Sequence, residues 1–264
     1  MRKRGGAGWR MALPVLAGLV VCGRAEEPTR SLIELRTYSC SSVAKRDELI
    51  RVFDRALIPA LNRQGIAAVG VFRGEAAGNG GDRTWETNVF VVIPHRDAAS
   101  LTACDTRLLA DEAFLRNADA LFRAPMASPL YDACGAALLL AFESCPGVSA
   151  VTRSPDRVLQ LRIYNSYTEE RNAKKIAMFE AGGEIALFRE CGLTPVFFGR
   201  ALAGGRMPNL TYLLGFPDRE AQRTAWERFR AHPGWLKLKA DPQYRDTANK
   251  IANILLRPSP GSQL

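Results

Sequence analysis

"VLQLRIYNS", Val158–Ser166, echoes an earlier stretch of the same chain, "LIELRTYSC", Leu32–Cys40. Leu161-Arg162-x-Tyr164 lies over Leu35-Arg36-x-Tyr38, and the likeness continues downstream. Each tyrosine is followed 15 residues later by a phenylalanine, Phe53 or Phe179, inside a helical pattern. A glycine suited to ending that helix comes next, Gly65 or Gly192. Apolar strands follow at Ile66–Phe72 and Thr194–Leu202, then glycine-bearing turns, then strands at Asn88–Pro94 and Leu210–Pro217. Both of the latter exit on Pro-x-Arg into an amphipathic stretch, and each half closes on an apolar strand, Ala136–Phe142 or Asn249–Leu256. The order in each half is β-α-β-β-α-β, the ferredoxin-like unit.

Such a unit has helices on one sheet face only, so the other face needs a cover. Two units in one chain can cover each other. The fold expected is therefore α+β, with two ferredoxin-like (βαββαβ) repeats packed sheet to sheet as an intrachain dimeric α/β barrel. The repeats span 31–145 and 157–257, with a Pro-, Gly- and Ser-bearing linker at 146–156 and a tail at 258–264. Alternation along the first strand of each half separates Ile33, Leu35 and Thr37 from Glu34, Arg36 and Tyr38. It separates Leu159, Leu161 and Ile163 from Gln160, Arg162 and Tyr164 in the same way. If the apolar sets meet the helices, the polar sets face the space between the sheets and make it a polar pocket.

The formal charge is +9, but Arg2, Lys3, Arg4, Arg10 and Arg24 supply five of those charges. Without them 31 basic residues stand against 27 acidic ones, with no basic stripe interleaved with aromatics, so no nucleic-acid partner is expected. The basic start, the 11-residue apolar run Met11–Val21 and the small residues before Ala25 predict a signal peptide at 1–25. The mature protein is then exported, periplasmic or secreted, with no integral membrane segment. Five cysteines remain, none in CxxC spacing, and no His/Cys/carboxylate set has metal-ligand spacing, so neither a metal nor another cofactor is expected. The topology brings Cys40, just past the first strand, toward Cys134, just before the fourth, which makes them a candidate disulfide.

In the second half the Leu-Arg-x-Tyr strand leads to a helix with Asn172, Lys175 and Phe179 and to Cys191-Gly192 after it. The Asn209-Leu-Thr-Tyr-Leu-Leu strand, Pro217-Asp218-x-Glu220, Trp226 and His232-Pro-Gly-Trp235 follow. With these motifs the second half resembles the NIPSNAP family. The resemblance is good over 156–257 and fainter over 31–145. It implies the same ferredoxin-like dimeric α/β barrel and roles in protein contacts, and it brings no catalytic residues to transfer.

The candidate pocket residues are Glu34, Arg36, Tyr38, Gln160, Arg162 and Tyr164, an anion- or carbonyl-binding set in which a tyrosine or Glu34 could move a proton. A structural network that fixes how the halves dock is the favoured reading of the same residues. His232 could act as base or haem ligand, but it sits in a turn at a helix end, where capping explains it. His95 is explained by helix entry, Trp226 and Trp235 by core packing, and Asn79–Asp82 by a hairpin turn. Two readings follow. One is a non-catalytic module that binds a protein or small-molecule ligand, with homo-oligomerisation open. The other is a small-molecule enzyme, oxygenase- or isomerase-like, working in the polar inter-sheet pocket.

Overall fold

A computed structural model describes residues 29–75, 84–150 and 152–264; the expected signal peptide and the Asn79–Asp82 turn lie outside the described residues. The strands are β1 (Leu32–Ser39), β2 (Gly70–Gly74), β3 (Asn88–His95) and β4 (Ala133–Ala141) in the first half. In the second they are β5 (Val158–Asn165), β6 (Thr194–Ala203), β7 (Asn209–Phe216) and β8 (Lys250–Pro258). All pairings are antiparallel and close one barrel in the order β1-β3-β2-β8-β5-β7-β6-β4. The halves join edge to edge, β2 to β8 and β4 to β6, so no sheet edge is left open.

Helices cover the outside. The first half has α1 (Val43–Val52), a π-helical segment at Phe53–Leu57, and α2 (Ile58–Arg63). Pro59 opens α2, and its missing N–H suits the widened turn before it. After β3 come α3 (Ala98–Ala110), α4 (Glu112–Asn117) and α5 (Asp119–Phe122). The second half has α6 (Glu169–Phe179) and α7 (Glu184–Cys191) before β6, then α8 (Arg219–Ala231) and α9 (Pro233–Ala240) before β8. Gly65 and Gly192 end their helical segments at φ +79° and +87°, the left-handed stop expected of them. Both Pro-x-Arg exits become caps: Asp97 accepts from Ser100 N at 2.7 Å and Asp218 from Ala221 N at 2.8 Å. Asp218→Ala should cost about 1 kcal/mol of unfolding free energy, read from urea melts, by orphaning that N–H. None of the described helices is long and apolar enough to cross a membrane.

The barrel interior reverses the expected assignment of faces. Ile33, Leu35, Phe72, Phe90, Val92, Leu139, Leu159, Leu161, Phe197, Leu213, Ile254 and Leu256 form one continuous buried cluster drawn from all eight strands. The inter-sheet space is therefore filled and apolar, not a polar pocket. Glu34, Arg36, Tyr38, Gln160, Arg162 and Tyr164 point outward, beneath the helices. The reason is steric as well as electrostatic. An eight-stranded barrel has room for side chains and little else, and charges there would lie far from any partner. The helices can offer partners, and they do. Two further clusters occupy the outer layer, one around Phe53, Leu61 and Val91, the other around Phe179, Phe188 and Tyr212.

The candidate disulfide is absent. β1 and β4 are neighbours as expected, but their register sets Cys134 opposite Tyr38, two residues short of Cys40. Both cysteines are free thiols, Cys40 buried in the first outer cluster and Cys134 exposed.

Candidate functional site

The outward-facing residues separate into two sites, one per half, which differ in how their arginine is satisfied. In the first half Arg36 is closed off within the protein. It donates through Nε to Glu34 Oε1 at 2.6 Å and through Nη2 to Glu34 Oε2 at 3.1 Å, and Nη2 also reaches Asp105 Oδ1 of α3 at 2.9 Å. The other side of Glu34 meets His95, whose Nε2 lies 3.2 Å from Oε2 and whose Nδ1 lies 3.2 Å from Ser100 Oγ. Burial alone would raise the Glu34 carboxyl; the hydrogen bonds from His95 and Arg36 outweigh it and hold the group below the usual carboxylate range. Tyr38 packs edge-on against Phe53 and Tyr131, and burial pushes its phenol up, so it stays protonated. The cavity beside Arg36 and Tyr38 has about 290 Å³ and is otherwise largely apolar, with Phe53, Leu57, Leu109 and Phe122 on its walls.

In the second half Gln160 replaces Glu34, and its amide is turned away from the arginine. Gln160 Oε1 accepts from Trp226 Nε1 at 2.5 Å and from Gln222 Nε2 at 3.2 Å, while Nε2 donates to Asn253 Oδ1 at 2.6 Å. Phe216 stands across from Val158 where His95 stands across from Leu32. Arg162 therefore has no ion-pair partner among the described residues, and its buried Nε has no acceptor. Its guanidinium is held by aromatic faces instead, 4.8 Å from the Trp226 ring centre and 5.4 Å from that of Tyr164. Such contacts are worth about 2 kcal/mol when desolvated.

Arg162 lines a cavity of about 520 Å³ between the sheet and α6, α7, α8 and α9. Tyr164, Trp226, Trp235 and Tyr244 give it aromatic walls, and Lys175 and Glu184 lie deep in it. Lys175 Nζ meets Glu184 Oε2 at 3.1 Å, with side chains only 7% and 3% exposed, and sits 4.6 Å from the Phe179 ring centre. Burial raises the Glu184 carboxyl against the pull of Lys175 and, more weakly, of Arg162. Tyr164 and Tyr212 place their hydroxyls 3.2 Å apart, and burial raises both phenols. Arg230, Lys239 and Asp246 complete the charged lining. Four cations thus face two carboxylates, and the cavity is net positive.

The paired Arg-x-Tyr strands do build the sites, but they do not bring Arg36 and Arg162 together. Trp235 belongs to the second cavity. His232 does not: its Nδ1 accepts from Gly234 N at 3.1 Å, capping the start of α9, and its Nε2 lies 3.5 Å from Glu190. Capping was expected of it, but it caps an N-terminus rather than the end of α8. His95 is more than a helix entry, being fully buried against Glu34. Glu184 escaped sequence reasoning altogether. The signal that points to a polar partner was Asn172 and Lys175, three residues apart on the face of α6 that also carries Phe179. Asn172 is 1% exposed and its Nδ2 has no acceptor among the described residues. The described residues contain no group of three His, Cys, Asp or Glu side chains that could hold a metal ion.

Residues 159–263 match the NIPSNAP family model, the same part of the chain whose motifs resemble that family. No curated protein matches the chain. Among solved structures, a candidate monooxygenase from Lactobacillus acidophilus NCFM is 9% identical with a TM-score of 0.58, over 87% of this chain and 94% of that one. An anthrone oxidase-like protein is 12% identical with a TM-score of 0.51, over 87% and 92%. A NIPSNAP-like domain protein from Burkholderia xenovorans is 19% identical with a TM-score of 0.35, over 40% of this chain and 87% of that one. At these identities the first two likenesses are likenesses of fold.

Proposed function

We propose that this chain, through its NIPSNAP domain, is a non-catalytic binding protein whose ligand is a small organic anion held in the second-half cavity. The observation that carries the reading is Arg162: a cation mostly withdrawn from water, stacked between Trp226 and Tyr164, without a carboxylate in contact among the described residues. A buried guanidinium in that state is costly unless an anion completes it. The cavity volume, its aromatic walls and its positive balance suit a ligand with a flat apolar body and one anionic group. Thermal-shift and calorimetric titrations with benzoate, phenylphosphate and benzenesulfonate test this. At least one probe should stabilise the protein, and Arg162→Ala should weaken its binding about 30-fold or more. Absence of any shift at millimolar concentration, or a shift unchanged in Arg162→Ala, would refute the assignment.

A second reading, catalysis in the same cavity, is favoured by Glu184, a buried carboxyl raised by its surroundings and in contact with Lys175 on the cavity wall. The fold-level likeness to a candidate monooxygenase and an anthrone oxidase-like protein is compatible with it and assigns no residue a role. Turnover of a bound probe that disappears in Glu184→Gln while binding persists would select this reading over the first.

A further inference from the structure

The two halves place the same strand positions differently, and the difference identifies the anion. Glu34, Arg36 and Tyr38 on β1 correspond to Gln160, Arg162 and Tyr164 on β5, with matching registers to β3 and β7. In the first half the side edge of the guanidinium, Nε and Nη2, is taken by both oxygens of a carboxylate two residues away on the same strand face. In the second half the residue at that place is an amide engaged with Trp226, Gln222 and Asn253, and Nε of the arginine is left without an acceptor. A planar two-oxygen acceptor matches a guanidinium edge with two parallel hydrogen bonds, a fit that Arg36 and Glu34 display within this protein.

We infer that the first half is a self-occupied copy of the second-half site: the Glu34 carboxylate stands where a carboxylate of the ligand stands in the second half. The inference rests on the anion-binding reading of the second-half cavity and deepens it by naming the ligand class, a small carboxylic acid with a flat apolar body. It also names the residue that decides which half binds. Position 34 carries an acid and closes its site. Position 160 carries the isosteric amide and leaves its site open. Asp105, reaching Arg36 from α3, reinforces the closure.

Reciprocal exchanges test it, with benzoate as probe and calorimetric stoichiometry as the readout. Wild type should take one benzoate per chain. Gln160→Glu should place an internal carboxylate on Arg162 and weaken benzoate binding at least about 10-fold. The new carboxylate can still accept from Trp226, so the fold is kept and its urea midpoint checks that. Glu34→Gln combined with Asp105→Asn should add a second benzoate site per chain, and that site should vanish when Arg36→Ala is added. Benzoate affinity unchanged in a folded Gln160→Glu protein overturns the inference while leaving the anion-binding reading in place. So does a folded Glu34→Gln/Asp105→Asn protein that still binds one benzoate. Binding of phenylphosphate or benzenesulfonate but not benzoate to wild type overturns the carboxylate class alone. No binding of any of the three removes both inference and reading.

Discussion

Phe197→Ala is expected to remove about 3–5 kcal/mol of unfolding free energy, whereas Arg162→Leu should leave stability within about 1 kcal/mol of wild type. The contrast follows from which strand face lies inside. Phe197 is fully buried in the barrel interior among Leu139, Leu161, Leu213 and Ile254, and these belong to different strands whose backbones are fixed by the closed hydrogen-bond ladder. A ladder closed on itself cannot contract around a missing ring, so the cavity term adds in full to the lost transfer energy. Arg162 lies on the other face of β5, under α8, where its burial is offset by stacking on Trp226 but by no counter-ion among the described residues. Leucine keeps the apolar stem and removes the uncompensated charge, so the losses and gains roughly cancel. Urea unfolding at pH 7 followed by far-UV circular dichroism measures both. A greater loss in Arg162→Leu than in Phe197→Ala would contradict the apolar interior.

That interior is also where sequence reasoning went astray, for an instructive reason. Alternation in "LIELRTYSC" and "VLQLRIYNS" correctly separates two faces of each strand, and the order of elements correctly gives two ferredoxin-like units sharing one barrel. What alternation cannot say is which face is in. Helices usually supply apolar cover, which favours the apolar set beneath them. Here the helices also offer polar groups to the strands or to one another: Asp105 at the exposed edge of α3, Lys175 on α6, Glu184 on α7, Gln222 and Trp226 on α8. Asp105 meets Arg36, Gln222 and Trp226 meet Gln160, Lys175 and Glu184 meet each other, and the apolar set is left to fill the barrel. β3 gave no warning, because both of its faces are apolar, Val89, Val91 and Ile93 outward, Phe90 and Val92 inward. Lys175 and Asn172 on the otherwise apolar stripe of α6 were the legible sign that something polar lay beneath that helix.

The candidate site was legible to a similar depth. Residue type and spacing singled out Arg36, Tyr38, Arg162 and Tyr164, and all four line cavities. Their division into two unlike sites depends on Glu34 against Gln160 and on His95 against Phe216, single exchanges whose meaning appears only when the neighbours are in place. The Cys40–Cys134 pairing failed on register, two residues of offset along β1 that no spacing rule specifies.

Lys175→Met is expected to cost about 3–5 kcal/mol at pH 7, because it leaves the Glu184 carboxylate buried without its cation. The pair is enclosed, with side-chain exposure of 7% for Lys175 and 3% for Glu184, and among the described residues Lys175 Nζ meets Glu184, Met178 Sδ at 3.2 Å and the rings of Phe179 and Tyr164. The penalty should depend on pH, and its sign can be worked out. Burial already raises the Glu184 carboxyl in the native protein, and removing Lys175 removes the largest opposing influence. In the variant the folded state therefore binds a proton more tightly than the unfolded state does. Stability from that proton is fully present below the unfolded carboxyl range and is lost as pH rises through the raised folded value. The gap between variant and wild type should accordingly widen between pH 5 and pH 8 in urea melts. A gap of equal size at both would show that Glu184 is not the group left unpaired. Removing both charges, Lys175→Met with Glu184→Leu, takes away the uncompensated ion and should recover most of the loss, since a buried pair replaced by apolar residues of similar volume is often neutral. The same double variant strips the cavity of its deepest polar groups while leaving Arg162 in place. If the cavity is an anion-binding site rather than a proton-transfer site, benzoate affinity should survive in it, and loss of binding from a protein of wild-type stability would move the ligand's contacts from Arg162 to the Lys175–Glu184 pair.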